Sequence, residues 1–139
     1  MYVTAESCDL DIAAGAQRPL ADIVADVRTS VWALESAWAT LGADGWAGAG
    51  LTRVGKVPVT HFPWRRRSEV EVHRVDLGLA YTIDQWPTDY VESDLARRQS
   101  ERSNDGSAIP DEVAAAPAGR RLAWLLGRQG GFTSPPPAF

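Results

Sequence analysis

The chain has 139 residues, which suits one small domain or a domain with an appendage. Hydrophobic residues make up 45% and charged residues 23%, the ordinary balance of a globular protein. The net charge of −4 gives no support for nucleic-acid or membrane-surface binding, so neither partner is expected. Cys8 is the lone cysteine; no internal disulfide can form, and a reducing cytoplasm is the expected location. The first twenty residues carry Glu6, Asp9 and Asp11 and lack the apolar run of a signal peptide. No segment approaches the roughly 18 apolar residues needed to span a bilayer. Six tryptophans spread along the chain point to core and interface packing more than to a stacking platform.

In chain order, residues 1–18 show no clear periodicity and read as an extended or irregular lead-in. From Leu20 the apolar positions Ile23, Val24, Val27, Val31, Leu34, Trp38 and Leu41 are spaced by threes and fours, which predicts a helix over 19–41. Pro19 suits its first turn, Asp22 and Asp26 favour the positive end of its dipole, and Gly42 sits where a left-handed cap is wanted. Such a seam needs other helices to cover it. Residues 42–50 form a glycine-rich connection. Leu51, Val54, Val57 and Val59 then flank Gly55-Lys56, a short hairpin or pair of extended arms, with Pro58 confining the second arm to an edge.

Residues 60–81 are ambiguous, introduced by Thr60 as an N-cap candidate with Pro63 tolerated in the first turn. Trp86-Pro87 breaks this segment. A polar helix follows over 88–102 with Tyr90, Val91 and Leu95 on its apolar side, then a loop, SNDGS. Pro117 precedes a short helix whose Leu122, Leu125 and Leu126 are apolar, and the tail GGFTSPPPAF is too rich in Gly and Pro for regular structure. The triplet Arg65-Arg66-Arg67 reads as a solvated turn with local ion pairs to Glu69 and Glu71.

The ambiguity centres on EVEVHRVDLGLAY. Taken by twos, valines alternate with polar residues like a half-buried strand, and after a one-residue slip Val75, Leu77, Leu79 and Tyr81 resume the pattern. Taken as a helix, Phe62, Arg66, Glu69, His73, Asp76 and Ala80 form one stripe. Burying that stripe would cost several kcal/mol per charge unless the charges were paired or bound to metal. Pattern alone puts the strand slightly ahead.

Residues 64–78, WRRRSEVEVHRVDLG, tip the balance toward helix, because they resemble a helix signature of approximate form W-x-R-x-x-E-x-x-x-H-x-x-D-L-G. Trp64, Arg66, Glu69, His73, Asp76, Leu77 and Gly78 all match the signature of the mycothiol-dependent maleylpyruvate isomerase family. The opening MYVTAES, the hairpin with Gly55 and Pro58, LAWLLGRQGG and the proline-rich end SPPPAF are also similar to that family.

The resemblance implies a mainly α fold: a partial DinB-like four-helix bundle, with the third and fourth helices joined by a short β-hairpin, plus a short C-terminal helical segment. Residues 1–85 would be the partial metal-binding domain and 86–139 a shortened C-terminal region, the chain starting after the family's second helix. It further implies a divalent metal, typically zinc, held by Glu69, His73 and a histidine of the second helix that has no match here. His61 lies about 12 Å along a helix from Glu69, too far to replace that histidine. With an open metal position and mycothiol as cofactor, the expected reaction is thiol addition to an activated double bond or other electrophile, either isomerisation or thiol transfer. Arg128 matches the arginine that would hold a substrate carboxylate; capping the last helix is its plainer role. Asp76 would orient His73 or pair with Arg66. The expected partner is a small electrophilic substrate. The alternative is a non-catalytic truncated paralogue or fragment that dimerises, or pairs with a chain supplying the missing helices.

Overall fold

The computed structural model describes residues 5–52, 55–104, 106–128 and 130–137. Val54 of the expected hairpin, the first four residues of the family-like opening, and the last two residues of the tail lie outside them. The chain divides into two compact units, residues 1–59 and 60–139. The family boundary expected after residue 85 falls inside the second unit, between a 3-10 turn at Ile83–Gln85 and Trp86.

The first unit opens with helix α1, Ala5–Gly15, where an irregular lead-in was expected. Alanine, leucine and glutamate favour helix by propensity alone. Its described side chains bury no apolar face, and Leu10 and Ile12 are exposed, so periodicity could not reveal it. Helix α2, Leu20–Thr40, is the predicted amphipathic helix, with Pro19 at the N-cap and Asp22 in the first turn. Asp26 pairs instead with Arg18 at 2.6 Å. Gly42 is extended (φ −70°, ψ 174°), not left-handed, and caps the start of a short helix α3, Ala43–Trp46, inside the expected connection. No α2 side chain is buried; Leu20, Val27 and Trp32 stand exposed.

Strands β1, Ala49–Thr52, and β2, Gly55–Pro58, form the antiparallel hairpin, pairing Ala49 with Pro58 and Thr52 with Gly55. Gly55 and Lys56 therefore both belong to β2 rather than lying between the two arms. The Gly55 φ of +110° is a conformation that glycine adopts without strain.

In the second unit, helix α4 spans His61–Asp76. Thr60 occupies the N-cap position, but its side chain caps nothing. Val72 is buried while Val70 is 45% exposed, which a strand with both on one face could not produce. Gly78, at φ +66°, closes the helix in the left-handed conformation favoured just past a C-cap. Ala80 thus lies beyond the helix and leaves the polar stripe. The rest of the stripe is not buried: Arg66, Glu69, His73 and Asp76 are exposed and Phe62 is half-buried.

Helix α5, Thr88–Asn104, follows a capping box made by Thr82 and Gln85, then a short helix α6, Asp111–Ala114, and α7, Ala118–Leu125. The core of this unit is Val72, Trp86, Tyr90, Val91, Leu95, Val113, Leu122, Trp124, Leu125 and Leu126. Trp86 and Tyr90 meet edge to face at 5.6 Å, and Trp86 Nε1 donates to the Glu71 carbonyl at 3.1 Å. Burial pushes the Tyr90 hydroxyl up to about 12. The triplet's Arg67 bonds Asp89 on α5 at 2.6 and 2.8 Å rather than a neighbouring glutamate, tying α4 to α5.

The described tail has no regular element, as expected, yet it is fastened. Trp124 Nε1 donates to the Ser134 carbonyl, and Glu112 accepts from the Ser134 amide at 2.7 Å and the Thr133 hydroxyl at 2.9 Å. Those bonds, with Ser134 foremost, hold the Glu112 carboxyl down at about 2.

Candidate functional site

Helical spacing places Glu69 and His73 one turn apart on α4, and Asp76 three residues further on. Their side chains meet. His73 Nε2 lies 3.2 Å from Glu69 Oε2, and His73 Nδ1 lies 3.0 Å from Asp76 Oδ2. Both ring nitrogens thus face carboxylate oxygens. Glu69 and His73 are open to solvent, at 62% and 64% of side-chain surface.

Arg128 reaches the same place from the far end of the unit. Helix α7 ends in a Schellman motif: the Gly127 amide donates to the Trp124 carbonyl at 3.0 Å and the Arg128 amide to the Ala123 carbonyl at 2.9 Å. Gly127 takes the required left-handed φ of +76°. That turn directs Arg128 to Asp76. Its Nε donates to Asp76 Oδ1 at 3.1 Å, Nη2 donates to Oδ2, and Nη1 donates to the Leu126 carbonyl at 2.6 Å. The Arg128 guanidinium, and after it His73, holds the Asp76 carboxyl below its ordinary value. Asp76 does orient the imidazole, as one expectation had it, but its arginine is Arg128 and not Arg66. Arg128 also fulfils its plainer role, since Leu126 is the C-cap of α7.

A guanidinium has five N–H donors. Among the described residues three are engaged, leaving one each on Nη1 and Nη2, the pair that forms the end-on fork for a carboxylate. The arrangement opens on a concavity of about 190 Å³, with Val72 and Leu126 apolar and Ser68, His73, Arg98 and Arg128 polar among its lining. Its size suits a small ligand or the reactive end of a larger one.

Ser68 and Arg98 escaped the sequence reading. Ser68 is buried, donates to Asp94 Oδ2 at 3.2 Å and shares a 3.3 Å contact with the Tyr90 hydroxyl. Arg98 follows the buried positions Val91, Asp94 and Leu95 at helical spacing, a signal that extending the α5 stripe one turn would have found.

Glu69 and His73 are a carboxylate and an imidazole, suitable donors for a divalent ion. Among the described residues, however, no three His, Cys, Asp or Glu side chains gather to hold one, and His61 does not join the pair. The described residues do not assemble a three-donor centre. No helix among them is long and apolar enough to cross a membrane.

A family model described as the mycothiol maleylpyruvate isomerase N-terminal domain matches residues 1–78. A solved structure, the crystal structure of the mycothiol-dependent maleylpyruvate isomerase, is similar in fold with a TM-score of 0.82. The two chains are 23% identical, and the match covers 99% of this chain and 69% of that one. The mainly helical architecture with its small hairpin agrees with the expected DinB-like fold. No curated protein matches the chain.

Proposed function

The chain belongs to the mycothiol maleylpyruvate isomerase family, and from that premise we propose that it is a mycothiol-dependent isomerase or thiol transferase acting on a small, carboxylate-bearing electrophile. The observation that carries the proposal is the meeting of Glu69, His73 and Asp76 with Arg128, 52 residues further on, beside one concavity. Bound mycothiol would supply a thiol able to add to an activated double bond and leave again after the bond has rotated.

The chain's own side chains have separable tasks in this proposal. Arg128, braced from behind by Asp76, offers its end-on fork to a substrate carboxylate. His73, oriented through Nδ1 by Asp76, holds or releases a proton at Nε2, the atom facing Glu69. Val72 and Leu126 exclude water from part of the ligand's surface. As an alternative to the His73 proton, Glu69 and the deprotonated Nε2 of His73 would together serve as donors toward a divalent metal. A reducing cytoplasm, which keeps thiols available, is the proposed setting.

The test is turnover of maleylpyruvate by the purified chain with mycothiol, followed by ultraviolet absorbance. Thiol-dependent isomerisation is expected, falling at least about tenfold in Arg128→Lys, which lacks the bidentate fork. Absence of turnover with the wild-type chain refutes the proposal for this substrate.

The exposed apolar seam of α2, with Leu20, Val27 and Trp32 in solvent, favours a second reading. There the chain is non-catalytic and a second copy or a partner chain covers that seam. Sedimentation of a catalytically silent chain as a dimer at micromolar concentration would support it; a stable monomer would refute it for self-association.

A further inference from the structure

Helix α2 carries two charges that its own helix leaves without a partner. Arg28 has Val24, Ala25, Val31 and Trp32 three and four residues away, and Glu35 has Val31, Trp32, Trp38 and Ala39, so neither meets an opposite charge at helical-neighbour spacing. Seven residues separate the two, about 10.5 Å along the axis, too far for a bond between them. Both are exposed, and among the described residues neither makes an ion pair, whereas nearby Asp26 bonds Arg18 at 2.6 Å.

Their position on the helix gives them a common use. Leu20, Val24, Val27, Val31, Leu34 and Trp38 alternate in steps of four and three, the spacing of a two-stranded coiled-coil seam. Arg28 and Glu35 each follow a seam residue, Val27 and Leu34, by one position, and so border the seam on the same side. The other border, Ile23, Ser30 and Ala37, is uncharged. Parallel pairing of two such helices sets unlike borders together, so Arg28 would face Ile23 of the second copy and Glu35 its Ser30. Antiparallel pairing sets like borders together. With the two-fold axis at the level between Trp32 and Ala33, Arg28 faces Glu35 of the second copy, and Glu35 faces its Arg28. The same register seats Val31 against Leu34 and Val27 against Trp38, and puts the small Ser30 opposite Ala37.

We infer that α2 is a self-association surface: a second copy of this chain lies antiparallel along it, in the register fixed by reciprocal Arg28–Glu35 pairs. A contact of this kind is self-complementary and closes at two copies. The inference rests on the second reading above, in that it takes the α2 seam as a surface to be covered, and it commits to the occupant and its direction. It holds for a catalytic chain as well as a silent one.

The test is sedimentation equilibrium of the full chain at low ionic strength, where wild type should dimerise at micromolar concentration. Arg28→Glu and Glu35→Arg should each weaken self-association at least about tenfold, because like charges then face each other across the two-fold axis. An equimolar mixture of the two variants should regain the wild-type affinity, since each copy supplies the charge that the other lacks. Ser36→Glu, on the far face of α2, should leave the dimer unchanged. A wild-type chain that stays monomeric overturns the inference and, with it, self-association under the second reading. A dimer whose affinity neither charge variant alters, or a mixture no tighter than the single variants, overturns the inference alone and leaves that reading standing. Turnover with mycothiol is read separately and bears on neither outcome. If either charge variant fails to fold by circular dichroism, the conservative Arg28→Lys decides instead. The natural chain has a single lysine, Lys56. Carbodiimide should therefore join the new amine at position 28 to Glu35 of the second copy in a covalent dimer, located by peptide mass mapping; absence of that link overturns the inference.

Discussion

Replacing Asp76 with asparagine keeps the side chain's size and removes the charge that joins α4 to the segment after α7. Asp76 accepts two bonds from Arg128 and one from His73. Shielded charge-assisted bonds contribute about 1.5–3 kcal/mol each. Here the Asp76 and Arg128 side chains are 34% and 32% exposed, and solvent screening reduces the net loss in Asp76→Asn to about 1–2 kcal/mol. For a unit of this size that corresponds to a fall in Tm of roughly 5–10 °C. The carboxyl is held below its ordinary 3.8, chiefly by Arg128. Its stabilisation is therefore complete above the ordinary value and lost as pH falls through the lowered one. Urea unfolding of wild type and Asp76→Asn at pH 7 and pH 3 measures this: the difference should be full at pH 7 and shrink at pH 3. A cycle with Arg128→Gln should show coupling of about 1 kcal/mol. Additive single effects, or a difference that grows on acidification, would refute the bridge.

The helical assignment of α4 predicts unequal valines. Val72→Ala should cost about 1–2 kcal/mol and Val70→Ala less than about 0.5, read as urea midpoints; equal costs would restore the strand. Gly78→Ala should cost about 1 kcal/mol through its positive φ alone, since an added Cβ meets nothing within 4 Å. An unchanged midpoint would count against the left-handed cap. Zinc titrated into the chain, followed by equilibrium dialysis, should bind through Glu69 and His73 and be lost in both Glu69→Ala and His73→Ala. Zinc retained in both variants would place its site elsewhere.

Much of this architecture is legible in the residues because the forces concerned act within a few positions of one another. The apolar spacing of α2 specifies a helix, while Gly78 and Gly127 mark where α4 and α7 end, since few other residues tolerate a left-handed cap. Glu69 and His73 could likewise be paired from spacing once the segment was taken as helical. Helix α1 was hidden for the opposite reason, because propensity without an apolar face leaves no period to see. The carboxylate partners of Arg67 and Arg128 were not legible either: Arg67 was expected to pair with Glu69 or Glu71, and Arg128 to hold a substrate carboxylate or cap its own helix, and each found a carboxylate on another element. Spacing along the chain determines which side chains share a face of one helix. Only the packing of α4, α5 and α7 around Val72, Tyr90 and Leu122 decides which faces meet, and so joins Asp76 to Arg128 across 52 residues of chain and brings His73, Arg98 and Arg128 to one concavity.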